Sequence, residues 1–100
     1  MNPQILDRIK KILKTSQEYN AKLGKDHQER LFELMEEHVA EIKELADKGD
    51  KHFLVETGDL AMLCFELMLE HDASIDEILL KCCGRYERKL AELISEKKEN

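Results

Sequence analysis

The chain has 100 residues, 42% of them hydrophobic and 38% charged, with one proline, four glycines, no tryptophan and a net charge of −6. That length holds one domain with a single core, and the makeup is that of packed helices, not of a strand-rich sandwich. An acidic chain with no broad basic face excludes a general binder of nucleic-acid polymers or of anionic membrane surfaces.

Asn2 before Pro3 is a helix start, because the amide side chain caps free N–H groups and proline in the first turn gives up no hydrogen bond. The first helix is expected over about 3–23, with a narrow stripe of Ile5, Ile9, Ile12, Leu13 and Tyr19. Lys10, Lys11, Lys14 and Lys22 form its solvated side. No apolar run near the start is long enough for a signal peptide or a membrane span, so the expected compartment is the cytoplasm.

Gly24 ends that helix, and Asp26 with Glu29 three residues on has the form of a capping box. The second helix is expected over about 27–47. On a wheel of about 100° per residue, Leu31, Leu34, Met35, Ile42 and Leu45 share a face with His38 at its centre and Glu41 roughly 60° away. Gly49-Asp50 makes a short turn, with Asp50 as the cap of a third helix over about 51–71 that runs antiparallel to the second.

In the third helix Phe53, Leu60, Leu63, Cys64 and Leu67 face inward, with Glu56 about 40° from the middle of that face and Asp59 at its edge. Met62, Phe65 and Leu69 lie on the opposite side, which points to a contact with a second subunit. Ser74 and Glu77 form another capping box, opening a fourth helix over about 75–97. Its seam is Ile75, Leu79, Cys82, Tyr86, Leu90 and Leu93, and its middle carries Lys81, Arg85, Arg88 and Lys89. Cys64, Cys82 and Cys83 lack a CxxC spacing and read as small core residues.

An unpaired carboxylate at a helix interface is costly, so half-buried acids have a cation or a donor beside them. Facing helices would bring Glu41, Glu56 and Asp59, with Glu37 and His38 near them, into one hollow suited to a hard divalent ion. The competing reading pairs these acids with lysine or arginine. His38, taken alone, reads more readily as a core histidine than as a ligand, and His27, His52 and His71 read as residues of helix ends.

The segments Glu37-His38-Val39-Ala40-Glu41 and Glu56-Thr57-Gly58-Asp59-Leu60, joined through Gly49-Asp50, resemble the EExxE and ExxD motifs of the MazG-like, all-α nucleoside triphosphate pyrophosphohydrolases. Arg85-Tyr86-Glu87-Arg88-Lys89 is similar to a basic run in the last helix of that family. Two departures stand out: His38 replaces the family's second Glu, and Cys83 stands where relatives often carry Asn. Tyr19-Asn20-Ala21-Lys22-Leu23 faintly resembles a motif of phosphoribosyl-ATP pyrophosphohydrolases, but Met62 and Leu63 replace the Tyr-His pair expected there.

The resemblance implies an all-α four-helix bundle, a homodimer or dimer of dimers, that converts a nucleoside triphosphate to the monophosphate and pyrophosphate. It implies a magnesium site on Glu37, His38, Glu41, Glu56 and Asp59; because an imidazole suits softer ions such as manganese or zinc, His38 means that the metal preference has shifted, that Glu37 substitutes, or that the site is weakened. Glu37, Glu41, Glu56 and Asp59 would be catalytic, and Lys81, Arg85 and Arg88 would reach substrate phosphates. The alternative is a catalytically weakened bundle that binds nucleotides or a protein partner.

Overall fold

The structure, a computed structural model, describes residues 1–99, with side-chain surroundings through residue 97. Four helices, α1 (Pro3–Lys22), α2 (His27–Asp47), α3 (Phe53–Glu70) and α4 (Ile75–Glu99), follow one another, with no strand among the described residues. Their bounds agree with the sequence expectation to within two residues.

The caps explain where the helices begin. The Asn2 side chain accepts hydrogen bonds from the N–H groups of Gln4 and Ile5, that of Asp26 from Glu29 and that of Ser74 from Glu77. Asp50 departs from expectation. Its carboxylate accepts from the N–H of His52 at 2.9 Å, and His52 is itself the cap residue of α3, without a side-chain bond to the helix. The third helix therefore opens two residues later than Asp50 capping implies. Asp26→Ala is expected to cost about 1 kcal/mol of stability, read by urea denaturation.

The first three helices end in the same device. After α1 and α2 the backbone turns left-handed at Gly24 and Gly49, and the next residue bonds back to Asn20 and Leu45. Glycine adopts that conformation without strain. After α3 the same position is Asp72, at φ 57, with Ala73 bonding back to Met68. Asp72→Gly is accordingly expected to stabilise the fold by about 0.5 kcal/mol in the same measurement.

Ile9 and Leu13 of α1, Leu31 of α2, Leu63 of α3 and Ile75 at the start of α4 are buried. The central element is α3, which packs on each of the other three helices, whereas α4 packs on α3, its first turn also pairing through Asp76 with the Met1 ammonium. The α2–α3 pair is antiparallel: His71, just past the end of α3, meets Gln28 in the first turn of α2 at 2.7 Å, while Glu56 at the start of α3 meets His38 further along α2.

The fourth helix does not close the bundle. With 25 residues it is about 37 Å long at 1.5 Å per residue, and among its described side chains only Ile75, in the first turn, is fully buried. Leu79, Tyr86, Leu90 and Leu93 of the expected seam are exposed, and so is Cys83, which is not a core residue. The radius of gyration, 17.1 Å, exceeds the roughly 13 Å of a compact 100-residue domain. Three helices form a packed unit, and α4 extends from it.

Candidate metal centre

The acids reach their places because α2 and α3 run antiparallel with apolar faces together. Leu31 and Leu63 are buried between the helices, which turns the neighbouring positions of both inward. His38 is half-buried, and the Glu56 side chain is only 15% exposed. At that burial the Glu56 carboxylate needs partners, and it has imidazoles on two sides. The His38 Nδ1 lies 3.4 Å from Glu56 Oε2, and the His52 Nε2 lies 3.5 Å from Glu56 Oε1. His38 Nδ1 is also 3.9 Å from Glu41 Oε2.

None of these contacts is a well-formed hydrogen bond. His38 Nδ1 and Glu56 Oε2 are both shielded from solvent and both lack a hydrogen-bond partner. Ligand atoms of His38, Glu56 and Asp59 all lie within 4.8 Å of one another, the span that a single ion could bridge. An imidazole and two carboxylates are a donor set for a divalent metal, with the nitrogen shifting preference from magnesium toward manganese or zinc.

Glu41 and Glu37 stand at the rim. Glu41 is exposed, and its proton is held more tightly than usual because its carboxyl can share a proton with the neighbouring Glu56 carboxylate, with repulsion from Glu56 adding to the effect and His38 opposing it. Glu37 is exposed and acts on Glu41 by repulsion alone. Of the five residues expected to form the centre, His38, Glu56 and Asp59 are the set with mutually close ligand atoms; Glu41 adjoins through Glu56 and Glu37 lies outermost.

Lys81, Arg85 and Arg88 are elsewhere. They are exposed on α4, which touches neither α1 nor α2, and among the described residues no ion pair joins them to the acids. Arg85, Tyr86, Arg88 and Lys89 instead line an open hollow of about 450 Å³ on α4 itself. The competing reading of the acids, internal salt bridges to lysine or arginine, is thus not what the single chain shows at Glu56: its close neighbours are the imidazoles of His38 and His52 and the carboxyl of Glu41.

The chain matches no family model, no curated protein and no solved structure.

Two residues of interest carry no motif. His52 sits at a helix end, yet its i,i+4 spacing to Glu56 places the two side chains together. Glu66 lies within an apolar run and is 3% exposed. Burial holds the Glu66 carboxyl above its ordinary range, against opposing pulls from His27 and from a hydrogen bond to Ser16, while Glu70 adds repulsion.

For an acid whose folded-state pKa is raised, stability is greatest while both states are protonated. It is lost as pH rises from the ordinary glutamate value near 4.5 through the higher folded value. Denaturation curves recorded from about pH 4.5 upward should show this decline, and Glu66→Leu should flatten it.

Proposed function

We propose that the protein is a metal-dependent nucleoside triphosphate pyrophosphohydrolase, cleaving between the α- and β-phosphates to give a nucleoside monophosphate and pyrophosphate. The observation that carries this reading is the pair of shielded, unpartnered atoms, His38 Nδ1 and Glu56 Oε2, set beside Asp59 and Glu41. Such a group of acceptors is stable when a multivalent cation neutralises it and is otherwise a concentration of like charge. The likeness of the two motifs to those of MazG-like enzymes supports the same conclusion, as does the all-α fold.

His38, Glu56 and Asp59 would hold the ion, magnesium or manganese. A bound divalent ion neutralises phosphate charge and lowers the pKa of a coordinated water. Glu41, whose carboxyl has a raised proton affinity and access to solvent, is placed to take the proton from the attacking water. His52 orients Glu56 from its far side. Glu37 supplements the negative field at the rim and keeps Glu41 basic.

The working unit is a homodimer or a dimer of dimers. In one chain the apolar seam of α4 has no cover, and its cations have no access to the acids. A second copy laid along α4 would bury the seam and could bring Lys81, Arg85 and Arg88 to phosphates held at the partner's centre. Arginine suits that role through bidentate contacts. Met62, Phe65 and Leu69, half-buried on the outer side of α3, would extend the contact.

Pyrophosphate release from each common NTP and dNTP, with magnesium and with manganese, tests the reading. Turnover of at least one triphosphate is expected, with manganese at least equal to magnesium. A wholly inert panel would favour the second reading, a nucleotide- or protein-binding bundle with a weakened centre. That reading is favoured by one observation, the imidazole of His38 among the ligands of a centre that would otherwise be all carboxylate.

A further inference from the structure

We propose that the chamber around Glu66, between α1, α2 and α3, is a subsite that binds a nucleobase by its hydrogen-bonding edge. The proposal rests on the nucleotide reading above and concerns a different part of the molecule from the metal centre.

Glu66 is 3% exposed and its Oε1 has no hydrogen-bond partner. Across the same chamber the Nε2 of His27 is shielded and unpartnered as well. The state of that imidazole follows from its other nitrogen. The amide Nδ2 of Asn20, a residue 7% exposed, lies 2.9 Å from His27 Nδ1 and can only donate, so Nδ1 accepts and the ring proton sits on Nε2. The chamber therefore holds a buried donor, His27 Nε2–H, and a buried acceptor, Glu66 Oε1, neither satisfied by the protein.

Native proteins leave few such groups unpaired, and those that remain call for an explanation. The chamber has a volume of about 180 Å³; Leu31, Leu34 and Leu63 supply an apolar lining, and the exposed ring of Tyr19 stands beside it. Ser16 and Arg30 also line the chamber, but the Arg30 guanidinium is engaged by Glu33 at 3.0 Å, so the atoms left open are one buried donor and one buried acceptor, a pair that neither a bare cation nor a simple anion satisfies. A flat group with apolar faces, carrying an N–H next to a carbonyl or ring nitrogen on one edge, satisfies both atoms, and that is a nucleobase.

Placement agrees with this chemistry. Asp59 and Glu66 are seven residues apart on α3, two turns along nearly the same side and about 10 Å by helical rise. A nucleotide with its phosphates near Asp59 has its sugar and base available for that interval.

The test is calorimetric titration of the metal-free full chain, in EDTA, with guanosine, adenosine, cytidine, uridine and ribose 5-phosphate. At least one nucleoside is expected to bind, and ribose 5-phosphate to bind more weakly than that nucleoside. Glu66→Leu should weaken nucleoside binding by about 10- to 100-fold, the effect of leaving a buried hydrogen-bonding group without its partner. Glu66→Gln, which keeps an acceptor and the side-chain shape, should weaken it less and secures the test if the leucine variant folds poorly.

In turnover assays the base contact is made equally in the ground and transition states, so Glu66→Leu should raise KM and leave kcat nearly unchanged. Nucleoside binding that is indifferent to both substitutions, or no nucleoside binding at millimolar concentration, overturns the subsite. The two proposals fail separately. Pyrophosphate release that ignores Glu66 removes the subsite and leaves the hydrolase, and Glu66-dependent nucleoside binding without hydrolysis does the reverse.

Discussion

Glu56→Gln is expected to reduce pyrophosphate release by at least about 100-fold, the range seen when one preorganised electrostatic group is lost from a reaction centre. Glu56 is the least exposed of the cluster acids and the one that touches His38, His52 and Glu41 together. The amide keeps the shape of the side chain but removes its charge, so affinity for the divalent ion should fall with turnover.

The same substitution should raise the melting temperature of the metal-free protein, because it removes a carboxylate that repels Glu41. A glutamine N–H can donate to Glu41, which no longer needs a proton to share, and the Glu41 pKa should return toward the ordinary carboxylate range in an NMR titration. Loss of activity with a gain in stability is the signature of a functional cluster; loss of both would mark Glu56 as a structural residue. Unchanged turnover would remove it from the centre.

Leu90→Glu is expected to shift the protein from dimer to monomer in sedimentation equilibrium at micromolar concentration. Leu90 is 56% exposed on a helix whose neighbours Tyr86 and Leu93 are exposed on the same side. Burying one such side chain contributes roughly 1.5–3 kcal/mol, and a two-fold interface carries the substitution twice. The association constant should therefore fall by at least about 100-fold, since each 1.4 kcal/mol is tenfold.

If α4 supplies phosphate contacts to its partner, Leu90→Glu should also reduce pyrophosphate release in proportion to the loss of dimer. Raising protein concentration should restore it. A wild-type protein that is monomeric at micromolar concentration contradicts this part of the account.

Much of the fold was legible because the caps are local. Asn2, Asp26 and Ser74 bond to N–H groups two or three residues away, so sequence spacing contains the whole interaction. The periodicity of α2 and α3 likewise identified the buried face that brings Glu56 to His38. The fate of α4 was not legible. Its seam has the same spacing as a seam buried within one chain, and spacing does not say whether the covering surface belongs to the same copy.

The centre was legible in part for a related reason. The wheel places His38 and Glu56 on inward faces, but the separation of His38, Glu56 and Asp59 depends on how far α3 slides along α2, a tertiary quantity. Glu66 escaped notice because a lone acid among Phe65, Leu67 and Met68 carries no motif. Its significance comes from Asn20 and His27, which the turn at Gly24 places beside each other.

The proposed hydrolysis requires one divalent ion held between α2 and α3. Anomalous diffraction at the manganese edge, from crystals of the protein equilibrated with manganese, tests it most directly. One anomalous peak per chain is expected, ligated by His38 Nδ1 and by carboxylate oxygens of Glu56 and Asp59. No peak there, with the three side chains turned apart, would contradict it.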